Sequence, residues 1–155
     1  MEVNREQRLT GNHFLLFRLD LHKFAVPFGH VVRVVSAKKT TPVPAVPEYI
    51  EGIIHSDGRF IPQVRMKQLL GLQDLGLGEP IHAMIVRDSK DSKHFSFLMD
   101  SKGDIVQMEE VDKDRRQEDN DKDFYSGQFI HQDEIVFILD IDRLMSTYRV
   151  DRDGS

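Results

Sequence analysis

Seven histidines (His13, His22, His30, His55, His82, His94 and His131) are the first residues to weigh for chemistry, in a chain of 155 residues without cysteine. A zinc site draws on imidazole, thiolate and carboxylate ligands at short spacings. No two of these histidines fall at such a spacing, so the reading is that no metal is bound. Asp119-Asn120-Asp121-Lys122-Asp123 imitates the opening of a calcium-binding loop. It fails where that geometry is strict, with Phe124 in place of the turn glycine and Ile130 in place of the closing bidentate Glu. Catalysis has no foothold either. There is no Gly-x-Ser-x-Gly elbow, no Walker-type phosphate loop and no Gly-x-Gly-x-x-Gly, and Gly76-x-Gly78 is too short to count. Of the nearby carboxylates Asp140 and Asp142, the first is accounted for as a helix cap. The reading is therefore non-enzymatic, with no catalytic residue, metal or cofactor.

The elements that would position any site alternate between short strands and short helices. From His13 the chain reads F-L-L-F-R-L-D-L, with Leu15, Phe17, Leu19 and Leu21 on one face. Phe14 and Leu16 make the other face apolar as well, so this strand is expected between two layers. A second strand follows over Phe24 to Phe28. Gly29 to Val35 is ambiguous, because Val31, Val34 and Val35 have helical spacing while four β-branched residues disfavour a helix. Ile81 to Arg87 and His94 to Met99 read as a hairpin around the polar Asp88 to Lys93, and Ile105-Val106 resumes a strand. Gln128 to His131 and Ile135 to Leu139 flank the turn Gln132 to Glu134. Asp140 then caps a helix carrying Ile141, Leu144, Met145 and Tyr148 on one face. Residues 1–12 read as a flexible terminus, 13–148 as the folded domain, 149–155 as a tail, and the charged stretch Glu109 to Asp123 as an exposed loop.

Bulk composition excludes some functions. Hydrophobic residues at 39% and charged residues at 30% suit a globular protein with a wet surface, and ten Phe supply much of the core mass. No apolar run approaches the ~20 residues that cross a bilayer, so no membrane insertion is expected. The net charge is −5, and Lys113-Asp114-Arg115-Arg116 is followed by Glu118-Asp119. That alternation is not the basic stripe of a nucleic-acid binder. Absence of Cys rules out disulfides, and a cytoplasmic location is expected.

The most informative stretch runs from Thr41 to Leu72. Pro42, Pro44 and Pro47 hold the backbone extended. Such a run can serve as a polyproline ligand, but more often it is a stiff connector. Two apolar runs, Ile50 to Ile54 and Phe60 to Val64, flank Asp57-Gly58, a strong hairpin signal because the tight turn needs positive φ. Met66, Leu69 and Leu70 then take helical spacing, and Gly71 stops the helix. This order of parts resembles the CheW-like domain family, the coupling module of bacterial chemotaxis arrays. Pro47, Tyr49, Ile50, Gly52, Ile53, Ile54, Gly58, Ile61, Pro62, Val64 and Leu70 sit on the family pattern without a gap, and the likeness extends from Phe14 to about Tyr148.

The resemblance implies a mainly β fold with short helices: two intertwined five-stranded SH3-like β-barrels on a common apolar core. It favours a short helix or turn over Gly29 to Val35. It also implies an adaptor that joins the cytoplasmic tip of a chemoreceptor to the regulatory domain of a CheA-type histidine kinase, and so sits at the membrane through receptor arrays. Carried over by position, the partner-binding residues are Val31, Arg33, Gly52, Ile53, Ile54, His55, Asp57 and Arg59. Three charges depart from the pattern. Arg33 stands where the family has Glu, Asp57 where it has Arg, and Arg65 where it has Asp. If the family's Glu and Arg pair, Arg33 and Asp57 preserve the pair with opposite polarity. The reversed field leaves a second reading open, a divergent scaffold for another motility or polar-localisation array, or the CheW-like end of a longer protein. A third, from a different class, is a small-ligand-binding or enzymatic β-barrel.

Overall fold

The computed structural model describes residues 12–108, 114–115 and 124–148, so the expected tail over 149–155 and nearly all of the terminus over 1–12 lie outside the described residues. The first strand, β1 (His13–Leu19), is buried on both faces, as its doubly apolar sequence requires. Leu15, Phe17 and Leu19 enter one core, and Phe14 and Leu16 enter a second. Leu21 departs from that row. It follows Asp20, whose φ of 53° turns the chain back into β2 (His22–Pro27), and its side chain is exposed.

The ambiguous valines resolve as strand. A single 3-10 turn over Phe28–His30 is followed by β3 (Val31–Ser36), so β-branched propensity prevails over helical spacing, and of the short helix or turn that the resemblance favours over Gly29 to Val35 there is the turn, at its start. The hairpin of the central stretch forms as read, from β4 (Ile50–Ser56) and β5 (Arg59–Val64). Its turn places Asp57 at φ 52° and Gly58 at φ 75°, the two positive values that a tight hairpin needs. Helix α1 (Met66–Leu69) follows, and Gly71 leaves it at φ 70°.

The hairpin of β6 (His82–Arg87) and β7 (His94–Met99) leads directly into β8 (Ser101–Gln107). Gly103 breaks the apolar pattern of β8 for a steric reason. A Cβ there would lie 1.5 Å from the Leu16 carbonyl oxygen, where the register of β1 against β8 shifts between Leu15 and Phe17. In the charged stretch the described residues are Asp114–Arg115 (β9). Then come β10 (Tyr125–His131), β11 (Glu134–Leu139) and α2 (Ile141–Thr147), whose cap Asp140 accepts from the Arg143 amide at 3.0 Å.

Two sheets result, ordered β8-β1-β2-β11-β10-β9 and β3-β6-β7-β5-β4. The expected barrels are open: no ladder joins the outer strands of either sheet among the described residues. One isolated bridge, Thr41 with Ile53, ties the chain beyond β3 to the far edge strand β4. The halves exchange segments as expected. Parallel pairing of β2 with β11 joins distant parts of the chain, and α2 leaves the first sheet to bury Ile141, Leu144 and Met145 in the core shared with Met66, Leu69, Phe95 and Phe97. Tyr148 fastens this crossing by donating its hydroxyl to the Leu69 carbonyl at 3.0 Å.

Candidate functional site

The residues expected to bind partners divide by depth around the β4–β5 hairpin. Val31 has no exposed surface and joins the main core, while Ile54 packs with Ile61 and Ile85 in a smaller one. Gly52 is also buried. A Cβ on it would meet the Thr41 carbonyl oxygen at 2.6 Å and Thr40 Cβ at 3.0 Å. Its bareness lets two backbones close, and the mutual amide-to-carbonyl bonds of Thr41 and Ile53 (2.8 and 2.9 Å) sit beside it. Ile53 is half-buried. Any part that Val31, Gly52 and Ile54 take in recognition therefore runs through the surface they support.

That surface is the hairpin tip. His55, Asp57 and Arg59 are exposed there, and Arg33 on β3 reaches across to form an ion pair with Asp57. The reversed charges thus meet, as the sequence hypothesis requires. Sequence reasoning missed Phe60, which is 63% exposed and faces His55 across the two strands with ring centroids 5.2 Å apart. It also missed Lys38, whose ammonium donates to the His55 carbonyl at 2.9 Å. Arg59 Nη1 lies 3.0 Å from His94 Nε2, which accepts from it. Phe60 was legible in principle as a bulky residue next to the turn, where the alternation of β5 points it away from buried Ile61.

A second polar centre, absent from the sequence reading, lies where the sheets meet. Lys67 on α1 places Nζ 3.1 Å from Asp20, 3.1 Å from Asp74 and 3.2 Å from Asp100. The Asp20 and Asp100 side chains are only 3% and 8% exposed. Asp20 also accepts from the amides of Leu75 (2.8 Å) and Leu77 (2.9 Å), and Asp100 accepts from the Asp20 amide at 2.5 Å. Burial alone would lower the Lys67 pKa, but the three carboxylates prevail and hold it above the ordinary lysine range. Burial likewise pushes Asp20 up, and the two amides with Lys67 more than reverse this, leaving it below its ordinary 3.8. A lysine kept charged is no nucleophile, so this cluster fastens the linker 72–80 to both sheets and does no chemistry.

Among the described residues, no group of three or more His, Asp or Glu could hold a metal ion, and Lys67 fills the space between its own carboxylates. The calcium-like Asp119 to Asp123 lies outside the described residues. No helix of the described residues is long and apolar enough to cross a membrane. What the exposed geometry offers is a binding surface.

Comparison with known proteins agrees with the fold. The family model described as the CheW-like domain matches residues 13–149. A chemotaxis protein CheW of Thermotoga maritima is 26% identical over 137 residues, covering 88% of this chain and 89% of that protein. A chemotaxis protein CheW of Rhizobium meliloti is 29% identical over 114 residues, 71% of each chain. Among solved structures, the scaffolding protein TtCheW from Thermoanaerobacter tengcongensis superimposes with a TM-score of 0.78 at 20% identity, over 99% of this chain and 97% of that one.

Proposed function

The chain belongs to the CheW-like domain family, a family of scaffolds and not of enzymes, and on that premise we propose that it couples the cytoplasmic tip of a chemoreceptor to the regulatory domain of a CheA-type histidine kinase. The observation that carries this reading is the β4–β5 hairpin. It keeps the family's order of Pro-rich lead-in, glycine, apolar pair and turn, and it projects His55, Asp57 and Arg59 from the tip of a hairpin whose edge strand, β4, is locked by the Gly52–Thr41 approach. Such an adaptor acts without chemistry, by changing which arrangements of its two partners coexist. Val31, Arg33, Gly52, Ile53, Ile54, His55, Asp57 and Arg59 form the proposed coupling element, the buried ones as its frame and the exposed ones as its contact. The protein works in the cytoplasm and reaches the membrane through its receptor partner.

The test is calorimetry of the purified chain against the regulatory domain of a CheA-type kinase from the same cell, at two salt concentrations. Binding in the micromolar range that Asp57 and Gly52 variants lose is the expected result. The reversed signs at Arg33, Asp57 and Arg65 favour one further reading, a scaffold of another motility or polar-localisation array. Absence of binding to any CheA-type regulatory domain of that cell, with retained fold, would select it.

A further inference from the structure

The linker 72–80 shows large apolar side chains to solvent, although its backbone is pinned to the buried charges beneath it. The Asp20 carboxylate takes the Leu75 and Leu77 amides, and Asp74 reaches Lys67. Gly78 lies so close over Asp100 that a Cβ there would meet the Asp100 Cβ at 2.6 Å. Backbone thus occupies the inward side of the linker, while the side chains of Leu75 and Leu77 are 43% and 61% exposed. Leu21, next to Asp20 in the β1–β2 turn, is 68% exposed. Leucines presented from a fixed backbone mark a contact surface.

Beside the linker, a cleft of about 330 Å³ opens between it and α1. Leu72 and Leu98 give it apolar walls, and Glu51 and Asp74 give it carboxylates. Its two cations are engaged, Lys67 by three aspartates and Arg65 by the Glu48 carbonyl. Glu79 adds an exposed acid to the linker, and the sequence holds no Lys or Arg from Gln68 to Val86. The nearest cations of the first sheet, Arg18 and Lys23, alternate to its other face, in step with Leu16 and Ala25 of the second core. Apolar area and negative charge therefore coincide here.

We infer that this surface docks a basic, amphipathic segment of a partner protein. Its apolar residues lie on Leu75 and Leu77, and its Lys or Arg heads face Glu79 and the acidic cleft. Apolar contact rimmed by charge is the usual anatomy of a protein interface, and the sign of the rim selects the partner. β5 runs from Arg59 at the hairpin tip to Val64 and on into α1, so the cleft stands roughly 20 Å from the tip. It is a second surface, and it stands whether or not the tip binds a kinase.

Nuclear magnetic resonance titration of the full chain tests it with three synthetic peptides of one pattern, built from Leu and Arg, Leu and Glu, or Ser and Arg. The Leu/Arg peptide should shift the Leu72, Leu75 and Leu77 amides, less so as salt rises. The Leu/Glu peptide should leave them in place, and the Ser/Arg peptide should bind about tenfold more weakly. Leu77→Ser should weaken Leu/Arg binding about tenfold while keeping its salt dependence. Glu79→Gln should weaken it about two- to fivefold and reduce that dependence, as exposed ion pairs do. Both side chains are exposed, so both variants should fold. Equal response to the Arg and Glu peptides, or to neither, overturns the inference, and so does equal response to the Leu and Ser peptides. Linker shifts that grow with protein concentration alone overturn it in favour of a second copy. The kinase regulatory domain, proposed at the hairpin tip, should bind Leu77→Ser unchanged, and its loss there would overturn the separation of the two surfaces.

Discussion

Lys67 and Lys38 are the same residue type in opposite company. Lys67 sits among Asp20, Asp74 and Asp100 at the junction of the sheets, while Lys38 donates to a carbonyl at the hairpin tip. The first arrangement sets one ammonium among three carboxylates, of which Asp20 and Asp100 are covered, so removing the lysine strands those two in a poorly solvated place. The second leaves charge in reach of solvent, where it adds little to folding and remains available to a partner. Wiring, more than residue type, separates a structural charge from a recognition charge here.

The contrast is most easily broken at Lys67. Lys67→Met keeps the stem and removes the charge, leaving Asp20 and Asp100 uncompensated. A loss of about 3 kcal/mol in urea denaturation is expected, whereas Lys38→Met should leave the midpoint almost unmoved. Equal effects would show that depth does not distinguish the two lysines. Next comes the frame of the tip. Gly52→Ala forces a Cβ against the Thr41 carbonyl, and a cost on the order of 2 kcal/mol is expected from such overpacking. Chemical shifts confined to Thr40, Thr41 and the β4–β5 hairpin would confirm that the damage is local.

A smaller effect concerns acid. The Asp20 pKa is lowered in the folded state, so its contribution is full above the ordinary 3.8 and is lost as pH falls through the folded value. Asp20→Asn should flatten the acid limb of stability measured by urea midpoints across that window, and an unchanged limb would remove Asp20 from the cause. The smallest effect belongs to the exposed pair. Arg33→Glu should cost about 0.5 kcal/mol by repelling Asp57, and adding Asp57→Arg should restore it. Failure of the double variant to recover stability would make the two reversed signs independent. Partner affinity of the same double variant sharpens the comparison, because it changes the field at the tip without changing the pair.

Local chemistry made much of the fold legible. Asp57-Gly58 announced the hairpin because few residues tolerate two successive positive φ values, and Asp140 announced α2 because it is a side chain suited to an orphan amide. The Arg33–Asp57 pair was accessible as a joint departure from one pattern. The Lys67 cluster was not. Its members come from a turn, a helix, a linker and the β7–β8 junction, and no spacing along the chain connects them. The valines of β3 misled in the other direction, since their helical spacing persists in a strand whose register shifts between Val31 and Arg33. Burial at Val31 and exposure at Phe60 likewise depend on which face the second sheet covers.

The parallel pairing of β2 with β11 has a consequence in time. Arg18 and its ion-pair partner Glu134 are 116 residues apart along the chain. At synthesis rates of about 5–20 residues per second, the two emerge on the order of ten seconds apart. During that interval β1 and β2, apolar on both faces, have neither their central neighbour nor the helix that closes the shared core. The nascent chain therefore depends on whatever shelters its first two strands until β10, β11 and α2 arrive, and substitutions that make those strands stickier should show first as lost yield and only later as lost stability.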